Sequence, residues 1–202
     1  MAYVSPYNIG SKVINLVSTL VGARLSTVPA ATGTKPAVIR SGGYDTDTQA
    51  PVNEPQWPYI AVDYVGQRRW GDADIKNIYF DEDDNEITET DIILYYDIKC
   101  YGLAKNDTGM IMDELSRKLE SSSVREFIRT DFECNLFRTD DVRPFKVKRS
   151  TNFVEVNRLQ IQLIQTSYYE DPISLIQTIN SEGELLQSPD DTTPLPVLIE
   201  AP

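Results

Sequence analysis

The hydrophobic pattern is clearest in residues 86–102, EITETDIILYYDIKCYG. Ile92, Leu94, Tyr96, Ile98 and Cys100 fall on one side of a period-two repeat. Ile93, Tyr95, Asp97, Lys99 and Tyr101 fall on the other. One apolar and one mixed side is the mark of an antiparallel strand covered on one face. The segment PYIAVDYV repeats the pattern with Ile60, Val62 and Tyr64 in phase. KNIYF lies just before the acidic tip DEDDNE, residues Asp81 to Glu86, and predicts a long hairpin with the 86–102 strand. Two further strands are expected. One lies around Pro144 to Arg149, with Phe145 and Val147 inward, and one runs from about Asn152 to Tyr169. In the second, Val154 and Val156 occupy even positions, whereas Leu159, Ile161 and Leu163 occupy odd ones. A β-bulge near Asn157-Arg158 would restore the phase. The face of Arg158, Gln160 and Gln162 is polar.

Three segments change period. Val13, Leu16, Val17, Leu20 and Val21 recur at helical spacing and predict a helix over Ser11–Leu25, with Gly10 and Ser11 at its start. Ile111, Leu115 and Leu119, spaced four apart, predict a helix capped by Asn106 or Asp107 and reaching about Glu120. Ser123-Val124-Arg125-Glu126 has the form of a capping box for a short helix ending near Arg129. Between the first helix and the first strand, Thr27–Gln56 holds four prolines and three glycines and reads as a long loop. Its apolar island Ala37-Val38-Ile39 suits an edge strand or a packing segment. The fold class that follows is α+β, an antiparallel sheet of about five or six strands with helices packed on one face. Residues 1–186 form one domain and residues 187–202 an extended tail. The tail's island Val197-Leu198-Ile199 could join another chain's sheet edge.

Composition narrows the chemistry. The chain has 202 residues, 41% of them apolar, enough for one sizeable core. Lys and Arg number 19 against 31 Asp and Glu, a net charge of −12. Gripping a nucleic-acid backbone needs the opposite sign, so Arg68-Arg69-Trp70 does not read as an RNA-stacking site. Histidine is absent, which removes the commonest general base and metal ligand. Two cysteines, Cys100 and Cys134, form no CxxC motif, and Cys100 reads as a buried thiol. No apolar run reaches the ~18 residues of a membrane span. The first residues lack a basic signal-peptide region, so the chain is expected to be cytoplasmic when made.

Within DEDDNE, Asp81, Asp83 and Asn85 match the first calcium positions of an EF-hand loop. Glu86 stands where glycine is needed, and Ile92 where the closing glutamate belongs. The tip therefore reads as a solvated turn. Asp63 and Asp97 could pair across strands like glycosidase carboxylates, a pairing common to acidic β proteins. No GxSxG and no phosphate loop occurs. The expectation is a protein without catalysis, metal or cofactor.

The order of these pieces resembles the bacteriophage neck or tail terminator family, also called tail-completion proteins. The resemblance covers about Val52 to Asn180. It rests on Pro58-Tyr59-Ile60 opening the first strand and Asp97-Ile98-Lys99-Cys100-Tyr101-Gly102 closing the central one. The helix Thr108–Leu119, SSSVREFIR, and Glu155-Val156-Asn157-Arg158-Leu159 follow, with Arg158 where family members place an arginine. Ser167-Tyr168-Tyr169-Glu170-Asp171 and Gly183 complete it. The long 27–56 loop and the tail after Leu186 exceed the family pattern.

The resemblance implies a tail-terminator-like fold and a ring, usually a hexamer, at the head-proximal end of the tail tube. Such a ring ends tube polymerisation, anchors the sheath where the tail contracts, and joins the neck. The implied partners are further copies of the chain, the tail tube protein, the sheath protein in contractile phages and the neck or head-completion protein. No tight nucleic-acid binding and no membrane are implied, and the protein would be assembled in the bacterial host cytoplasm into the virion. Residues expected to make contacts are Asp81, Asp83 and Asp84 at the tip, Arg158, and Tyr168, Tyr169 and Asp171 at the strand exit. Ile173 and Leu175 beyond it would form an interface arm or a strand closing the chain's own sheet. Val197, Leu198 and Ile199 in the tail complete the set. A neck connector, a tail-tube adaptor and a monomeric receptor- or sugar-binding module are the alternative readings.

Overall fold

A computed structural model describes residues 5–41, 55–70, 77–80, 86–103, 106–149 and 152–171, with three short strands beyond them. Side chains are described throughout except at 77–80, 86, 148–149, 152–153, 168–171 and in those short strands.

Helix α1 (Pro6–Val21) begins a full turn earlier than the apolar stripe suggests. Ser5 is its N-cap, accepting from the Tyr7 amide at 3.3 Å, and Pro6 supplies the first turn. Gly10 is inside the helix, not at its start. A Cβ there would lie 3.4 Å from both Arg40 and Tyr96. Those two side chains fasten the helix: the Tyr96 hydroxyl donates to the Pro6 carbonyl at 2.6 Å, and Arg40 donates to Tyr7 O and Ser11 Oγ at 3.0 Å. A single 3-10 turn, Gly22–Arg24, follows.

The stretch expected to be a loop contains three strands. β1 (Thr27–Ala30) and β2 (Gly33–Pro36) form a small hairpin, and Gly33 takes the positive φ of 89° that its turn requires. The proline and glycine content hid this hairpin. β3 (Val38–Arg40) uses the predicted island and pairs with β4 (Tyr59–Arg69) in parallel. β5 (Asn77–Phe80) and β6 (Glu86–Gly102) form the expected hairpin. Helices α2 (Thr108–Leu119) and α3 (Ser122–Asp131) come next. The capping box does not form: α3 starts from Ser121, and Glu126 instead holds Arg129 at 2.7 Å.

β7 (Asn135–Thr139), β8 (Arg143–Arg149) and β9 (Asn152–Asp171) complete the main sheet. It has seven strands, with β3-β4-β6-β9-β7 in order, β5 beside β6 and β8 beside β9. The expectation of an antiparallel sheet of about five or six strands is corrected in its pairing, since the sheet is mixed. β7 is too short to alternate visibly, and β3 runs parallel to its neighbour. The class is α+β with a mixed sheet. Backbone pairing continues in a separate small sheet of β10 (Thr178–Ile179), β11 (Glu184–Leu186) and β12 (Leu195–Pro196).

The three helices and one sheet face share one apolar core. α1 contributes Ile9, Val13, Leu16 and Val17; α2 contributes Ile111, Met112, Leu115 and Leu119; α3 contributes Ile128. They meet Ile60, Val62, Leu94, Tyr96, Ile98, Cys100, Leu136, Leu159, Ile161 and Leu163 of the sheet. Each such side chain contributes about 1.5–3 kcal/mol by leaving water. That is decisive for α2, which at its length would be marginal alone. Lys118 ties α2 to α1, donating to the Leu20 carbonyl at 2.6 Å and pairing with Glu114 at 2.7 Å. Lys12 of α1 donates in turn to the Asp131 carbonyl at the end of α3.

The bulge expected in β9 does not exist. Its register against β6 runs unbroken from Asp171 to Glu155, and against β8 from Arg158 to Asn152. Val154 and Val156 are instead buried on the face away from the helices. Asn157, on the helix side, donates to Thr108 Oγ1 at 2.7 Å in the core. Register shifts occur in β4 at Val65-Gly66, where Gly66 has φ 150°, and in β7 beside Phe137. Phe145, expected inward, is 40% exposed.

Candidate functional site

The face of the sheet away from the helices is the candidate site. Register arranges it as rows across the strands. Tyr59, Tyr101, Val156 and Phe145 form the first row. Ala61, Lys99, Arg158 and Arg143 form the second, and Asp63, Asp97 and Gln160 the third. Tyr95, Gln162 and Arg138, then Ile93, Ile164 and Asn135, continue it.

Arg158, the predicted contact residue whose side chain is described, lies at the middle of this face. It donates through Nη2 to Asp97 Oδ1 at 2.8 Å. Gln160 donates to the same oxygen at 2.8 Å. Lys99 stands 3.8 Å from Asp97 Oδ2 and 3.6 Å from Asp63 Oδ2. Asp97 itself is 5% exposed. Its oxygens are thus engaged by groups from its own strand and from β9, and Lys99 sits between the two carboxylates. Asp63 and Asp97 do face each other across β4 and β6, but as acceptors in an ion network rather than as an open acid–base pair. Ion pairs at a wet surface contribute little, and this one gains from the burial of its central carboxylate. Arg158 Nε is buried without a hydrogen-bond partner.

Aromatic residues flank the network. Tyr59 and Tyr101 stack with centroids 4.9 Å apart and rings 10° from parallel. Burial, reinforced by Tyr101, pushes the Tyr59 phenol up to about 12. Burial, reinforced by Asp63, raises Tyr101 as well. Both phenols therefore stay neutral across the physiological range. Ala37, Ala61, Val28, Ile39 and Trp57 pack with them as a second, smaller apolar cluster. Beyond the network, exposed Trp70 and Phe137 meet edge-on at 4.7 Å. Cys100 and Cys134 are free buried thiols, each raised to about 12 chiefly by burial.

The other expected contact residues are placed as follows. Tyr168, Tyr169 and Asp171 lie on the backbone of β9 opposite Glu89, Thr88 and Glu86, and β9 ends at Asp171. Their side chains lie outside the described residues, as do Asp81, Asp83, Asp84, Ile173, Leu175, Val197, Leu198 and Ile199 entirely. Among the described residues no three Asp, Glu, Cys or His side chains gather as a metal site needs. Among them, too, no helix is long and apolar enough to cross a membrane. The sequence reading noted the Asp63–Asp97 pair but missed Lys99 and Gln160 as its partners. It also missed the Tyr59–Tyr101 and Trp70–Phe137 pairs. Register was the missing information, because only the bulge-free β9 brings Arg158 and Gln160 onto Asp97. Comparison with protein-family models and with curated proteins gives no match for this chain.

Proposed function

We propose that this chain is a structural subunit of a bacteriophage tail, a terminator or tail-completion protein with a tail-terminator-like fold. Its copies form a ring, usually a hexamer, that caps the head-proximal end of the tail tube, ends tube and sheath polymerisation and joins the tail to the neck. The role is one of assembly and uses no cofactor. The observation that carries the reading is the sheet face away from the helices. Tyr59, Ile93, Asp97 and Val156 are buried in it, and half-buried Lys99, Arg158, Gln160 and Gln162 form its polar middle, ordered by the Asp97 network, with Arg158 in the family-like Glu155–Leu159 segment. Pre-ordered faces of this kind lose little entropy on docking. The net charge of −12 also fits a ring through which DNA must pass without sticking.

The test is sedimentation of the purified chain over a concentration series, with negative-stain imaging beside assembled tail tubes. Rings that sit on tube ends support the proposal. A monomer at every concentration, stabilised by a small ligand, would replace it with the binding-module reading.

A further inference from the structure

We infer that copies of this chain join head to tail through side chains, the outer edge of β8 in one copy meeting the outward stripe of α2 in the next. β8 reads Arg143-Pro144-Phe145-Lys146-Val147-Lys148-Arg149, four cations and no acid in a chain of net charge −12. Among the described residues it pairs only with β9. Register puts Arg143 and Phe145 on the sheet face away from the helices, opposite Arg158 and Val156, and Lys146 on the helix side, opposite Glu155. All three are exposed. Among the described residues neither Arg143 nor Lys146 takes part in an ion pair.

α2 presents the opposite charge. Its buried positions are Thr108, Ile111, Met112, Leu115 and Leu119, so Asp107, Met110, Asp113, Arg117 and Glu120 form the exposed stripe. The buried side packs on the sheet, so the stripe points away from the sheet of its own molecule. Met110 is 59% exposed, with Asp107 and Asp113 before and after it along the helix. The Asp107 side chain makes no capping hydrogen bond, and among the described residues neither acid takes part in an ion pair. Glu114 differs, because Arg24 and Lys118 hold it at 2.8 and 2.7 Å.

The two surfaces match in spacing as well as in charge. At ~1.5 Å per residue Asp107 and Asp113 stand about 9 Å apart. At ~3.4 Å per residue Arg143 and Lys146 stand about 10 Å apart. Each pair brackets an exposed apolar side chain, Met110 on the helix and Phe145 on the strand, and a thioether against an aromatic ring is a favourable contact. Cations and Pro144 on an edge strand guard against strand addition, which leaves a contact through side chains. That guard is selective, because it repels cationic surfaces and favours an acidic one. Screening at physiological salt acts over about 8 Å, so these local charges outweigh the net charge of the two copies. The contact joins a sheet edge to a helix layer, so each copy keeps one of each to offer. Repetition then closes a ring or continues a filament. The inference deepens the ring reading and rests on it only for closure.

The test is sedimentation of the full-length chain at low and high salt, with two charge-altered variants. One carries Arg143→Glu with Lys146→Glu. The other carries Asp107→Asn with Asp113→Lys, asparagine being chosen because residue 107 has a φ of 46°. All four positions are exposed, and a thermal melt confirms that each variant folds. Wild type should assemble, and its assembly should weaken as salt rises. Each variant alone should associate at least about tenfold more weakly. An equimolar mixture of the two should recover assembly, because the acidic β8 of one then meets the cationic stripe of the other. If wild type assembles and either variant leaves assembly unchanged, or the mixture does not recover it, the contact lies elsewhere and the inference fails while the ring reading stands. If wild type stays monomeric at low salt, both fail.

Discussion

Replacing Asp97 by asparagine probes the network that organises the sheet face away from the helices. The substitution keeps the side-chain shape and removes the charge. Arg158 and Gln160 both donate to Oδ1 at 2.8 Å, and Lys99 lies 3.8 Å from Oδ2. A hydrogen bond to a charged group contributes about 1.5–3 kcal/mol, against about 1 kcal/mol for a neutral one. The Arg158 side chain is 38% exposed, so water recovers part of its loss. The expected net cost is about 2 kcal/mol, or a fall in melting temperature of about 4–8 °C for a chain of this size. Urea denaturation of the single variants Asp97→Asn and Arg158→Met and of their double variant measures the coupling, expected at about 1 kcal/mol. The coupling should change little with salt because Asp97 is buried. A cost within about 0.5 kcal/mol of zero, or strictly additive variants, would refute the claim that this network fastens the face.

Three further outcomes follow from the packing. Gly22→Ala should cost about 1–3 kcal/mol, since the added methyl would lie 2.6 Å from Pro36 Cγ in the β2 strand, where a ring cannot swing away; chemical denaturation reads it. Thr108→Val should cost about 1–3 kcal/mol, because the buried Asn157 amide loses its acceptor 2.7 Å away, and Thr108→Ser should retain more of that stability. Cys100 and Cys134 rise in the folded chain from 9.0 to about 12, so the folded state holds more protons than the unfolded state over that range. Their stabilisation is complete below about pH 9 and declines as pH rises towards 12. Cys100→Ala should flatten the alkaline branch of a stability–pH profile, and an unchanged slope would contradict the assignment.

Strong periodicity made much of the fold legible. The two faces of β6 were readable because Ile92, Leu94, Tyr96, Ile98 and Cys100 recur at every second residue. The α2 stripe was readable because Ile111, Leu115 and Leu119 recur one helical turn apart. The edge strand Val38–Arg40 was announced by the apolar island Ala37-Val38-Ile39. What failed has physical causes. In β9 the change of phase at Asn157 looked like an inserted residue. It marks instead where apolar side chains move to the other face, with Val154 and Val156 buried there and Asn157 satisfied by Thr108 on the helix side. In β7 only Leu136 is buried, and the shift beside Phe137 breaks the alternation. The start of α1 was within reach, since Ser5-Pro6 is a cap followed by a first-turn proline. The candidate site was legible in its residue types but not in its pairings. Asp97, Lys99, Arg158 and Gln160 become neighbours only through register across β6 and β9.

The central claim is that this chain ends tail growth and joins the tail to the neck. Negative-stain microscopy of particles made when its reading frame is disrupted in the phage that carries it tests this most directly. The account predicts filled heads beside headless, overlong tails of variable length. Tails of normal length that fail to join heads would move the role to a neck connector, and complete virions that cannot adsorb would contradict the account.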